Sequence, residues 1–192
     1  EAAIASMRTD LVVLATLGRE GVGNLFADSV AERLLRHPPC AVLCVGNHGE
    51  GSAAPYRRLL APVDLGPEAH ASLPFAGTLA RAFAADVVAL HVTWMPGLRT
   101  LAGVPEMVET FVPTEEQVED FVRPAFDGVR VIARVDMGHP TRRIVAAARA
   151  ERTDLIVIGT HGHDSLADAV VGTRAEWIVR HAPCPVVVVP ST

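Results

Sequence analysis

Short apolar runs alternate with amphipathic stretches along most of this chain. The runs Arg58 to Val63 (RLLAPV), Asp86 to Thr93 (DVVALHVT), Val129 to Val135, Asp154 to Ile158 (DLIVI) and Pro185 to Val189 (PVVVV) are brief and rich in Val, Ile and Leu. Runs of that kind, bounded by turn residues, predict buried strands. Between them, Glu68 to Ala84 spaces Leu73, Phe75, Ala76, Leu79, Ala80 and Phe83 near the helical period. Further helices are predicted over Glu106 to Phe111, Thr114 to Phe126, Thr141 to Arg152 and Thr173 to His181. Thr114 and Gln117 have the spacing of a capping box. Strands alternating with helices imply an α/β fold: a doubly wound, five-stranded, mostly parallel, Rossmann-like sheet with right-handed crossovers.

A repeat organises the whole. Shifted by about 144 residues, the sequence aligns with itself without a gap. MRTDLVVLATLG (Met7 to Gly18) falls on ERTDLIVIGTHG (Glu151 to Gly162). SVAERLLRHPPCAVLCV (Ser29 to Val45) falls on TRAEWIVRHAPCPVVVV (Thr173 to Val189). Roughly 17 of about 45 aligned positions are identical. The first copy, residues 1–46, holds only the back half of the unit. Residues 47–55 form a Gly, Ser and Pro-rich linker, and residues 56–192 form one complete unit. A chain that opens at Glu1 within a helical pattern is expected to be a trimmed or incomplete product.

Composition narrows the classes. Apolar residues make up 49% and aromatics 5%, so the core must be aliphatic. The net charge of −5 comes without a basic stripe, which argues against nucleic acid as a partner. Three cysteines (Cys40, Cys44, Cys184) are too few for a disulfide framework. No run of 18 apolar residues suggests a membrane span. The chain reads as cytoplasmic.

Candidate chemistry gathers in the loop after the fourth strand. Gly159 sits where that strand ends and lets a ligand approach the backbone. Gly162 permits a turn with exposed amides. Gly172 and Thr173 open the next helix, whose unpaired N–H groups and dipole favour an anion. Asp64 ends the first strand. In a doubly wound sheet that strand and the fourth can be neighbours where strand order reverses, the usual ligand crevice. A carboxylate there accepts from a ribose hydroxyl or a base amine, and Val92 offers backbone groups to a purine edge. Each residue also has an ordinary reading. Asp64 can cap a turn, Thr173 can be a helix N-cap, Arg174 a solvated charge, and His91 a core histidine. The pairs His161 with His163 and His37 with Cys40 lack the further ligands a metal site needs, so neither a metal site nor a catalytic residue is assigned.

With these residues placed, the chain resembles the universal stress protein family of the adenine-nucleotide α-hydrolase-like superfamily. The resemblance rests on RRLLAPVD (Arg57 to Asp64), LHV (Leu90 to Val92), GTHG (Gly159 to Gly162) and GTRAEWIVRHAPCPVVVV (Gly172 to Val189). Gly159, Gly162, Gly172 and Thr173 meet the family's pattern of Gly, two residues, Gly, nine residues, Gly, then Ser or Thr. The resemblance implies ATP as ligand. Pro62, Val63 and Asp64 would line the nucleoside pocket, Val92 would meet the adenine, and Ile158 and Gly159 would flank base or ribose. Gly162, His163, Gly172, Thr173 and Arg174 would surround the phosphates. One departure is His163-Asp164-Ser165, where family members often carry another glycine; Asp164 adds negative charge that weakens binding or attracts magnesium.

In the first copy Ala15 and Asp28 replace the first and last glycines. A carboxylate about 4 Å from a phosphate charge is opposed by about 4 kcal/mol at an effective dielectric near 20. That copy is expected not to bind nucleotide and to act as a pairing partner. The resemblance implies antiparallel pairing of last strands, here Cys40 to Val45 with Pro185 to Val189, within a chain or in a homodimer. The expected role is a regulatory or stress-response protein acting through nucleotide-dependent conformation or partner choice, with at most slow ATP hydrolysis. The alternative is an interaction module of the same fold without nucleotide.

Overall fold

In a computed structural model of the chain, residues 9–15, 34–35, 38–46, 55–66, 72–94, 112–160 and 173–190 are described. The elements are β1 (Leu11–Ala15), β2 (Ala41–Val45), β3 (Arg58–Val63), α1 (Leu73–Phe83), β4 (Asp86–Thr93), α2 (Glu115–Val122), β5 (Val131–Met137), α3 (Pro140–Ala150), β6 (Leu155–Gly159), α4 (Thr173–His181) and β7 (Val186–Val189). A 3-10 turn, Arg123–Ala125, follows α2. The helix expected over 106–111 lies outside the described residues.

All seven strands join one sheet in the order β1-β2-β7-β6-β3-β4-β5. The complete unit supplies the five strands expected of it, and the partial copy adds two, so the sheet is wider than the unit alone implies. Every neighbouring pair is parallel except β2 with β7. The strand expected at 129–135 runs Val131–Met137 instead. Gly128, at φ 71°, and the Val129 N–H bond to the Phe126 carbonyl (2.9 Å) close a turn first. The Thr114–Gln117 capping box is present, with Gln117 N–H donating to Thr114 Oγ1 at 3.2 Å and Thr114 N–H to Gln117 Oε1 at 2.9 Å.

The two faces of the sheet carry separate cores. One holds Leu59, Ala61 and Val63 of β3, Val87 and Ala89 of β4, and Leu155 and Val157 of β6, under α1 (Leu73, Ala76, Ala80) and α2 (Val118, Val122). The other holds Leu60, Val88, Leu90, Ile156 and Ile158 under α3 (Ile144, Ala148) and α4 (Ala175, Ile178, Val179). This is the alternation a strand buried on both sides requires. The chain therefore leaves β3 and β4 toward one face, and β5 and β6 toward the other.

The joint between the copies follows the repeat. Val42 pairs with Val188, Leu43 with Val187 and Cys44 with Val186, antiparallel. Under the repeat alignment Leu43 is equivalent to Val187, Val42 to Val186 and Cys44 to Val188. Each strand thus meets its own equivalent about a local two-fold through Leu43 and Val187, an isologous contact inside one chain. Leu35 joins the same core as Val42, Cys44, Val186 and Val188, so burial is continuous across the joint.

Two points of packing yield tests. A Cβ on Gly77 of α1 would lie 2.1 Å from the Ala125 carbonyl oxygen. Gly77→Ala must push α1 and the 3-10 turn apart, and should lower stability by about 1–3 kcal/mol, read from the urea midpoint. Burial pushes the Cys44 and Cys184 thiols up to about 12. Burial, then the Asp10 charge, also raises half-buried Cys40. At pH 8 the folded protein should expose at most Cys40 to a thiol reagent, and all three in denaturant. Because the raised thiols favour the neutral form, their contribution to stability is complete below the ordinary value of 9.0 and is lost as pH climbs toward about 12. Rapid labelling of Cys44 or Cys184 in the folded state would contradict this.

Candidate functional site

The crevice forms where β3 and β6 lie side by side, because their following helices depart to opposite faces. Its width is set by hydrogen bonding. Peptide groups alternate sides along a strand. The Arg57 carbonyl accepts from the Asp86 N–H of β4, and the Arg58 carbonyl from the Asp154 N–H, each at 2.9 Å. Alternation then turns Leu60 and Pro62 toward β6, and Leu59, Ala61 and Val63 toward β4. Pro62 has no N–H to donate. The β3–β6 register covers only Leu59↔Leu155 and Leu60↔Ile156, whereas β3–β4 continues to Val63↔His91. The hydrogen-bonded ladder between the two central strands stops at Leu60, short of the carboxyl end of the sheet.

The same alternation orients the opposite wall. Ile156 N–H donates to the Pro185 carbonyl and Thr160 N–H to the Val189 carbonyl, each at 3.0 Å. Even-numbered peptide groups of β6 therefore serve β7, and those of Gly159 face β3 across the opening. On β4 the even-numbered groups face β3, as Asp86 does. Val92 follows the last register pair, so its carbonyl points over the end of β3, where an exocyclic amine or other donor can meet it.

Pro62, Val63, Asp64, Val92, Ile158 and Gly159 are thus brought to one rim. Ile158 is 5% exposed, and its side chain belongs to the core beneath rather than to the rim, leaving its backbone for contact. Asp64 is half-buried, and its Oδ1 accepts from the Gly66 N–H at 3.3 Å, a turn-capping bond. Thr173 opens α4 and Arg174 lies in its first turn, half-buried. α4 connects two parallel strands, so its N-terminus sits at the carboxyl end of β6, on the crevice side. Gly162, His163 and Gly172 lie outside the described residues.

Two residues gain a place that sequence alone did not give them. His91 Nδ1 lies 3.0 Å from the Val63 carbonyl oxygen. A carbonyl only accepts, so Nδ1 carries the hydrogen. Trp94, 37% exposed, stands just past β4 with its ring centroid 5.2 Å from that of His139. It belongs to the rim rather than to the core. Trp177, in contrast, stacks on His181 at 4.0 Å within α4.

Ion pairs also lie at the other end of the sheet. Asp154 accepts from the Arg57 and Arg58 N–H groups (2.7 and 3.1 Å). Glu151 binds Arg58 and Arg134. Burial pushes the Glu151 carboxyl up, but the hydrogen bonds from Arg134 and Arg58 outweigh it and hold the group below its ordinary range. These contacts anchor the amino ends of the strands. Among the described residues no three His, Cys, Asp or Glu side chains gather to hold a metal ion, and no helix is long and apolar enough to cross a membrane.

A parallel sheet of this order, opened at its switch point beside a Gly-ended strand, is matched by comparison with known proteins. The sequence profile of the universal stress protein family covers residues 2–46 and 55–190. The chain belongs to the universal stress protein family. That family is part of the adenine-nucleotide α-hydrolase-like superfamily. A universal stress protein of Mycolicibacterium smegmatis is 26% identical over 194 residues, covering 96% of this chain and 63% of its own length. Among solved structures, a universal stress protein from Archaeoglobus fulgidus superposes with a TM-score of 0.69 at 18% identity, over 99% of this chain and 64% of that one. A second, a universal stress protein in complex with cAMP, has a TM-score of 0.52 at 19% identity, over 72% of this chain and all of its own. At these identities the superpositions speak for the fold. This universal stress protein thus spans under two thirds of the length of those relatives that match it nearly end to end.

Among its described residues the rim presents backbone groups and the Asp64 carboxylate. It can accept donors through Asp64 and Val92, and can offer peptide groups through Gly159 and the start of α4.

Proposed function

We propose that the complete unit binds ATP in the β3–β6 crevice and acts as a nucleotide-dependent regulatory or stress-response protein. The observation that carries the reading is the end of the β3–β6 ladder at Leu60, with the Gly159 peptide groups turned to the β3 side of β6. Asp64 and the Val92 carbonyl take the nucleoside. Gly159, Gly162, Gly172 and the first turn of α4, with Thr173 and Arg174, take the phosphates, where the N–H groups and dipole of a helix N-terminus favour an anion. Family membership and the cAMP complex of a protein with this fold support a nucleotide as the ligand class. Magnesium, if it accompanies ATP, would meet Asp164 beside the phosphates. Occupancy would shift conformation or partner choice, and turnover would be slow, because no general base stands out in the sequence.

The test is calorimetric titration of the purified chain with ATP and, in parallel, cAMP. ATP should bind saturably. Gly172→Asp, which sets a carboxylate against the phosphates, should weaken ATP at least about tenfold without changing the unfolding midpoint by more than a few degrees. Equal affinity in parent and variant would remove the assigned loop from the site.

The β2–β7 joint favours a second reading, an interaction module without nucleotide. Its strands bury Val187 and Val188 to 1% and 0% exposure. A charge at Val187, on the local two-fold, should therefore break the joint, and Val187→Asp is expected to cost at least about 3 kcal/mol by chemical denaturation. Intact pairing with no ATP or cAMP binding at millimolar nucleotide would favour this reading over the first.

A further inference from the structure

The carboxyl end of β3 is held unequally. On the β6 side its ladder stops at Leu60, and Pro62 withholds the next donor. On the β4 side pairing runs on to Val63↔His91, and there a side chain adds to the ladder: His91 Nδ1–H donates to the Val63 carbonyl at 3.0 Å. Val63 is the residue before Asp64. The peptide plane that His91 grips is the one joining Val63 to Asp64, so the bond acts on the backbone orientation of Asp64 directly. Asp64 in turn accepts from Gly66 N–H at 3.3 Å, so its carboxylate is oriented by the turn that this peptide plane begins.

We propose that His91 is a positioning residue for the nucleotide: by clamping the Val63 carbonyl from β4, it sets the Asp64 carboxylate at the crevice that β3 and β6 leave open. This rests on the ATP-binding reading above. The role requires the Nδ1–H form of the ring, since the other neutral tautomer would put a lone pair against the carbonyl oxygen. It also requires only a donor near the position of Nδ1. An asparagine amide can supply that donor; a leucine of similar bulk cannot.

The experiment compares the parent with His91→Asn, His91→Leu, Asp64→Ala and the His91→Leu/Asp64→Ala double variant. ATP affinity is measured for each, and the histidine tautomer and Gly66 amide are read by 15N NMR without ligand. His91→Leu should weaken ATP about tenfold, the scale of one lost hydrogen bond, and His91→Asn should restore it to within about threefold. In the double variant the two losses should not add, because both act through one carboxylate. His91 should show the Nδ1–H signature, and the Gly66 amide should shift in His91→Leu and return in His91→Asn. Additive losses, equal weakening by Asn and Leu, or the Nε2–H tautomer would each overturn the proposal. If the parent binds no ATP, the reading of the site fails instead. The ligand-free Gly66 signal still decides His91: an unmoved amide in His91→Leu refutes the clamp, and a shift reversed by Asn sustains it.

Discussion

The unfinished ladder between β3 and β6 governs this molecule. These two strands lie at the centre of the sheet, bury both faces, and are followed by helices that leave in opposite directions. Their ladder stops at Leu60, three residues before β3 ends at Val63, and the missing N–H at Pro62 withholds the next bond. Of the described groups assigned to the ligand, Gly159 turns toward β3, Asp64 follows β3, and Val92 stands on β4, across β3 from β6.

Charged contacts lie at the amino ends of the strands, where Asp154 receives two backbone N–H groups and Glu151 joins Arg58 to Arg134. Two aliphatic cores clamp the strands at mid-height. At the carboxyl ends the described contacts include the His91 bond to the Val63 carbonyl and the Arg143–Asp136 ion pair. Through the first of these a histidine two positions before the end of β4 acts on the carboxylate that follows β3.

The partial copy follows the same physics with a different result. Its last strand has the hydrophobic alternation of β7, so the two strands can meet about a local two-fold with equivalent residues opposed. The result is one sheet of seven strands rather than five. Burial continues through the joint, since Leu35 of the first copy shares a core with Val186 and Val188 of the second. The relatives that match nearly end to end are longer than this chain, and β1 and β2 occupy the places of β6 and β7 in the repeat.

Periodicity, the repeat and the glycine spacing determined the strands, most helices, the α/β class, the family and the candidate loop, because these depend on near-neighbour preferences and on burial of one face or two. The sequence pattern of RLLAPVD and DLIVIG also marked the strand ends proposed to carry the chemistry. Tertiary structure decided the rest. That β3 and β6 pair for two residues and then part depends on which side of the strand Pro62 faces, a parity that no local pattern reveals. The start of β5 moved because a left-handed turn at Gly128 had to close first. Trp94 reached the rim and His91 found the Val63 carbonyl only through the β3–β4 register. Local composition encodes what a residue prefers, but hydrogen-bond direction across a sheet exists only once two distant strands are aligned.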